Sequence, residues 1–452
     1  MSIFGQNDTL TLNVEELILL VKQYHPIVKQ ANINYQKSTA DISIAKGAFN
    51  PVISNVISGK TFGATNYYNY INPQISIPTW YGIEVTAGLE NLSGNRFDPS
   101  ETVGKSSYIG LSFPLLKNLV LDKRRAYLQQ AKLYQNMAQT EQNAVLNTII
   151  LDAAVEYWEW ANAYKVYEIV EKNFKISQQR YEMVKKAYFN GERPAIDTVE
   201  AQSQMQSFEL QKNDSWLKFQ NETLALSAFL WKENNVAYLL SDKIIPAKNW
   251  ENEENIQNVL LNLNDLQIEA QRNHPELQLY NQKLAVLGID KKLKFQEMLP
   301  KLDFKYNHLS KGYNVFYSDG FAFQNNYQYG LKFEMPLLFS AGRGEYKKSL
   351  LKIEETQIAQ NQKSFGISLK VNNYFNEYLT LKKQIFLQRA MLGNLQKLLK
   401  GEETLFFNGE SSLFLINSRE NKVLENEVKL TELKAKFYKS IYKLQWSAGL
   451  LK

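Results

Sequence analysis

The chain repeats itself, and the repeat limits what it can fold into. Three landmarks occur twice, in the same order. His25-Pro26 returns as His274-Pro275, and Leu111-Ser-Phe-Pro-Leu-Leu116 as Phe333-Glu-Met-Pro-Leu-Leu338. Phe189-Asn-Gly-Glu192 returns as Phe407-Asn-Gly-Glu410. The copies lie 249, then 222, then 218 residues apart, so the first repeat holds 27 extra residues between its first two landmarks. A fixed order of shared landmarks is the mark of duplication. It divides the chain into a first repeat (1–240), a linker (241–263) and a second repeat (264–452).

Each repeat reads helix, strand pair, very long helix, turn, helix. The first helix is expected over 13–48, with Asn13 and Glu16 in capping-box spacing and Pro51 beyond its end. Residues 118–188 contain neither proline nor glycine, so one helix is expected through them. Gly191 and Pro194 end it, and a return helix follows over 195–233. The second repeat predicts helices over 264–298, 345–407 and 412–448, with Gly366, Gly393 and Gly401 as weak points. Patterns so far beyond 25 residues indicate coiled-coil packing.

The strands are two-faced. Ile83, Val85, Ala87 and Leu89 alternate with Glu84, Thr86, Gly88 and Glu90. Ile109, Leu111 and Phe113 alternate with Tyr108, Gly110 and Ser112. Leu302, Phe304 and Tyr306 alternate with Asp303, Lys305 and Asn307, and Tyr329, Leu331, Phe333 and Met335 with Gly330, Lys332 and Glu334. Four such strands cannot close a barrel, and lipid tolerates no open edge. Several chains would have to pool them: two give eight strands, three give twelve. A small sheet with its charged face in water is the other reading of the same alternation. Residues 61–83 are free of charge and rich in Tyr, Asn and Pro; they fit a strand extension or an outer cap.

Composition removes other classes. Cysteine is absent, which excludes disulfides, thiol catalysis and thiolate metal sites. The net charge of +6 is spread thinly, so no nucleic-acid partner is expected. No apolar run spans a bilayer as a helix, but a β-barrel signals by alternation instead. Residues 1–12 show no signal peptide, as in a mature chain with an added Met1 or one that is not exported. No nucleophile–base set, cofactor motif or metal-ligand spacing stands out, so neither an enzyme nor a cofactor is expected. His25 and His274 are repeat equivalents with a structural role. Ala341-Gly-Arg-Gly-Glu345 reads as a hinge and lacks the Lys-Ser/Thr of a phosphate loop. Asp152, Glu156 and Glu159 form one helical stripe, read as a solvated face. Tyr67, Tyr68, Tyr70, Trp80, Tyr81, Phe321, Phe323, Tyr327 and Tyr329 fit an interfacial girdle or packing among loops.

This order of elements, given twice over about 10–450, resembles the TolC family of outer-membrane efflux ducts. The most specific pieces are the turns Tyr188-Phe-Asn-Gly-Glu-Arg-Pro-Ala-Ile-Asp197 and Leu405-Phe-Phe-Asn-Gly-Glu-Ser-Ser-Leu-Phe414. The exits Phe113-Pro114-Leu115-Leu116 and Met335-Pro336-Leu337-Leu338 are similar to the family's strand-to-helix junctions. The resemblance implies a mainly α fold with a membrane β-barrel part. Four strands per chain would close a 12-strand barrel in a homotrimer, above a 12-helix periplasmic tunnel. It implies a passive export duct in the outer membrane of a Gram-negative bacterium, its signal peptide removed. The implied partners are a periplasmic adaptor, an inner-membrane transporter and outer-membrane lipid, in a tripartite pump or type I secretion system. A structural coiled-coil scaffold is the alternative.

Residue by residue, the resemblance places adaptor docking at Phe189, Asn190, Gly191, Phe407, Asn408, Gly409 and Ser411. Family members carry two aspartates six and nine residues after the second glycine; here these positions are Leu415 and Ser418. Acids at that spacing occur in the first repeat, at Asp197 and Glu200. The family's latch, a Tyr three before that glycine and an Arg two after it, is replaced by Phe406 and Ser411. The expected constriction is therefore Asp197, Glu200, Phe406 and Leu415. The expected barrel lumen is Glu84, Glu90, Asp303, Lys305, Lys332 and Glu334, with Ile83, Val85, Leu89, Phe304 and Leu331 toward lipid.

Overall fold

The structure, a computed structural model, describes residues 11–98, 100, 103–314 and 323–452. The first repeat runs β1 (Thr11–Leu12), α1 (Val14–Tyr24), α2 (Pro26–Gly47), β2 (Val52–Phe62), β3 (Thr65–Pro78), β4 (Glu84–Ser93), β5 (Lys105–Pro114), α3 (Lys123–Phe189) and α4 (Ala195–Ser227). After β6 (Ile245–Pro246) and α5 (Glu253–Asn258) come α6 (Leu263–Asn273), α7 (Pro275–Met298), β7 (Lys301–Lys311), β8 (Tyr327–Glu334), α8 (Ser340–Phe407) and α9 (Leu413–Ser447). Helices α3 and α8 have 67 and 68 residues, each about 100 Å at 1.5 Å per residue.

Contacts divide the chain into two compact units that cut across both repeats. One holds the chain up to Ile33, Thr140–Gln278 and Gln362–Lys452; the other holds Asn34–Gln139 and Leu279–Asn361.

The second unit carries one antiparallel sheet, β2-β3-β4-β5-β7-β8, curled as a half-barrel. The four expected strands are all present, but the expectation of four per chain is corrected to six. Strands β2 and β3 occupy Val52–Pro78, a span that matches the 27-residue excess of the first repeat. They form a hairpin through a two-residue turn, Gly63-Ala64, with φ of 55° and 61°. Two positive φ values are the mark of the tight turns that match strand twist. Alanine rarely adopts that conformation, so the turn carried no sequence signal. Residues 61–83 are mostly strand, and the outer-cap reading falls.

Glycines set how closely these strands meet. Tyr108 on β5 lies over Gly88 on β4, where a Cβ would fall 2.5 Å from its hydroxyl. Gly110 sits between Thr86 and Asn307, where a Cβ would fall 2.0 Å from Asn307 Oδ1. Ala341–Glu345, expected as a hinge, lies in the first turns of α8, and Gly342 there lets Met298 pack closely. Gly366, Gly393 and Gly401 do not interrupt α8.

The first unit packs helices around aromatic cores. Trp158 stacks on Tyr438 at 4.4 Å, and Trp160 Nε1 donates to Thr223 Oγ1 at 3.0 Å. Tyr157 donates to the Leu12 carbonyl at 2.9 Å, on the strand β1 that pairs in parallel with β6. The single helices expected over 13–48 and 264–298 are each broken, at His25-Pro26 and His274-Pro275. Proline lacks an N–H and drives the residue before it to extended backbone. His25 has ψ 132° and His274 ψ 125°. Each imidazole then caps the following helix: Nδ1 accepts from Ile27 N–H at 3.3 Å and from Glu276 N–H at 3.2 Å.

Two outcomes follow from this packing. Burial pushes the pKa of His25 and of His274 below the ordinary 6.5. The unfolded chain therefore binds more protons below pH 6.5, so stability is full above that value and declines as pH falls through the folded pKa values. NMR titration in detergent should find both rings taking up their protons at lower pH than a free imidazole, and His25→Gln with His274→Gln should flatten this part of the pH–stability curve. Separately, Gly110→Val should overpack the sheet at a cost of about 1–3 kcal/mol and lower the assembly's thermal midpoint. Gly330→Ala, with open space around it, should not.

Candidate functional site

Two candidate regions emerge, one in each unit. The first is the sheet. Residues paired across strands share a face, and the register sorts the expected lumen residues without exception. Glu84 pairs Ser112, which pairs Lys305; Asp303 pairs Lys332; Lys301 pairs Glu334. Glu90, across from Ser106, has the same parity. The six expected lumen residues therefore share one face. That face is densely bonded. Tyr70 donates to Glu90 at 3.0 Å, Ser76 donates to Glu84 at 2.5 Å, and Tyr108 donates to Gln74 at 2.9 Å. Lys301 lies 3.3 Å from Asp303, and Lys332 3.3 Å from Glu334.

The opposite face is largely apolar across all six strands: Ile53 and Ile57, Ile71 and Ile75, Val85 and Leu89, Ile109 and Leu111, Phe304, Leu331 and Phe333, with Asn55, Asn91, Lys105, Ser107 and His308 among its polar members. Ile53 is 81% exposed and Leu331 62%. The expected aromatic girdle separates into parts. Phe323, Tyr327 and Tyr329 cluster with Tyr306. Trp80 stacks on Phe49 at 4.2 Å, Tyr67 lies under Lys60 and Arg96, and Tyr70 belongs to the polar network. Phe321 lies outside the described residues.

The second region is the pair of helical tips. Both long helices end in the same cap. Gly191 (φ 79°) bonds the Tyr188 carbonyl, and Glu192 N–H reaches back to Ala187 at 2.9 Å. Gly409 (φ 80°) bonds Phe406, and Glu410 N–H reaches Leu405 at 2.9 Å. This is the Schellman motif, which requires a left-handed residue and so selects glycine. Phe189, Asn190, Phe407 and Asn408 are exposed beside it. Ser411 differs from them, since its hydroxyl bonds Glu402.

Of the expected constriction residues, Glu200 and Phe406 face the neighbouring hairpin of the same chain, and Arg193 links Asp197 of its own hairpin to Phe406. The Arg193 guanidinium lies 4.1 Å over the Phe406 ring, donates to the Phe406 carbonyl at 3.2 Å and approaches Asp197 at 3.8 Å. Glu200 accepts from Asn417 at 3.2 Å. Phe406 packs against a core of Val184, Ala201 and Leu413. Leu415 and Phe414 are exposed, unlike Leu413 beside them. One turn deeper, Arg180 clasps Glu420 through two bonds, with both side chains nearly buried. Arg193, Arg180 and Glu420 carried no sequence signal as site residues, because their partners lie more than 200 positions away. The Asp152–Glu159 stripe is only partly solvated: Glu159 pairs with Lys439, and burial, then Glu222, raise the pKa of Glu156. Among the described residues no helix is long and apolar enough to cross a membrane, and no acidic or histidine cluster is suited to a metal.

The sequence model of the family described as outer membrane efflux protein matches residues 17–230, nearly all of the first repeat. The second repeat builds the same parts in the same order. The chain has a TolC-like outer-membrane channel fold. Solved channels of this fold cover both repeats. The CmeC outer membrane channel of Campylobacter jejuni is 14% identical with a TM-score of 0.64, over 97% of this chain and 86% of that one. VceC of Vibrio cholerae is 13% identical with a TM-score of 0.65, over 96% of each. The open-state MtrE channel of Neisseria gonorrhoeae is 12% identical with a TM-score of 0.64, over 100% and 94%. No curated sequence matches the chain.

The Arg180–Glu420 pair gives a test of how the tips are held. Glu420→Gln should cost about 3–5 kcal/mol, because it strands a buried guanidinium. Arg180→Met with Glu420→Leu should recover most of that loss. Thermal denaturation of the single and double variants gives both values.

Proposed function

We propose that this chain is a passive efflux duct of the outer membrane that extends into the periplasm, and that three copies form it. The polar sheet face, with Glu84, Glu90, Asp303, Lys305, Lys332 and Glu334, lines its water-filled barrel, and the apolar face meets lipid. One observation carries this reading: a curled sheet whose register puts every strand charge but Lys105, the first residue of β5, on one face and a largely apolar surface on the other. Such a surface needs lipid, and such a polar face needs water. The repeated turns at Gly191 and Gly409, with Phe189 and Phe407 exposed beside them, form the periplasmic rim where an adaptor docks on its way to an inner-membrane pump. The scaffold alternative has no observation in its favour.

The same tips supply a gate. Arg193 ties the first hairpin to Phe406 of the second and offsets the charge of Asp197, while Phe414 and Leu415 supply apolar closure. Asp197 and Glu200 then act first as parts of this tie and line the opening only when it loosens.

Detergent-corrected light scattering should give a trimer; a monomer at micromolar concentration would end the duct reading. In planar bilayers, Arg193→Ala should raise conductance by freeing Phe406. It should also increase cation preference by unmasking Asp197. If neither changes, the constriction lies away from the tips.

A further inference from the structure

The two strands beyond the expected four have a consequence for the barrel. The β2–β3 hairpin is built into the wall. Gln74, Gly88 and Tyr108 stand in one row across β3, β4 and β5. Because Gly88 has no side chain, Tyr108 reaches across β4 and bonds both Asn72 and Gln74 of the hairpin. Tyr70 and Ser76 tie the same hairpin to Glu90 and Glu84. Ile53, Ile57, Ile71, Ile75 and Ile77 extend the apolar face across it.

The two sheet edges are β2 and β8, each paired on one side only. Neither carries proline, and the charges on them, Lys60 beside a register shift on β2 and Lys332 and Glu334 on β8, all stand on the polar face. All eight residues of β8 are exposed, as are all of β2 but Ser54, and Lys60 is the one charge in β2. Every pairing in the sheet is antiparallel, so β2 and β8 run in opposite directions. Copies related by rotation about the barrel axis can therefore join β2 to β8 antiparallel.

We propose that β2 of each chain pairs with β8 of the next copy, so that all six strands enter the wall and three chains close an 18-strand barrel. The occupant of each edge is a second copy of this chain. The inference rests on the trimer reading above. Barrel diameter grows roughly in proportion to strand number, so the lumen is about one and a half times as wide as that of 12 strands. Barrels of this size hold an open aqueous channel.

The absence of native cysteine makes the test clean. Ser54→Cys or Ser58→Cys is combined with Gln328→Cys, Gly330→Cys or Lys332→Cys and oxidised in outer membranes. The expected result is a covalent ladder on denaturing gels that ends at trimer for one register of the set. A ladder ending at dimer overturns the trimer reading and the 18-strand count together. Native trimers with no crosslink in any pair overturn the β2–β8 joint alone. As a second arm, fluorophores on Ile57→Cys and Ile71→Cys are exposed to brominated phospholipid vesicles. Quenching equal to that at Val85→Cys and Leu111→Cys is expected. Unquenched Ile57 and Ile71 beside quenched Val85 and Leu111 would put the hairpin outside the wall.

Discussion

A backbone amide in hydrocarbon has no water to bond, and each one left unpaired costs several kcal/mol. Strand β2 has 11 residues, and about half of its amides point away from β3. The cost of exposing that edge to lipid exceeds the roughly 5–15 kcal/mol by which a domain is stable at all. Strand β8 has the same difficulty at the other edge. In lipid, a single copy would therefore be unstable, and the proposed duct needs its neighbours at both edges. Other features of the sheet serve this need. All the charges but Lys105 stand on one face, and glycines let strands lie close.

How much of this was legible in the sequence depended on the range of the interaction. Alternation along a strand is local, and it placed Glu84, Asp303 and Lys332 on a common face that the register bears out. The long helices were legible because nothing in residues 118–188 interrupts them. The breaks at Pro26 and Pro275 were legible too, but the pull of a continuing helical pattern hid them. Proline is tolerated in the first turn of a helix, and each histidine before it ends one helix and caps the next. The extra hairpin was visible as a count of 27 residues before it was visible as structure. Its turn, Gly63-Ala64, uses an alanine where asparagine or glycine would have announced the bend.

The tips show the limit of such reading. The sequence marks the glycines, because a left-handed cap leaves few choices. It does not show that Arg193 seeks Phe406 or that Arg180 seeks Glu420, since those contacts arise only when two hairpins lie together. Asp197 read alone is an acid near a pore mouth. Beside Arg193 it is half of an ion pair, and its charge is not free to act at a distance.

The hairpin at Val52–Pro78 has a parity. A single inserted strand would leave the chain at the wrong end of the sheet, and α3 would follow from that end. Two strands return it to the same end, pointing the same way, so β4, β5 and α3 continue as though nothing had been added. Wall circumference can thus change in whole hairpins while the count of helices stays at its old value. In the proposed assembly the number of strands in the wall and the number of long helices are separate variables, and a short segment of sequence resets one without touching the other.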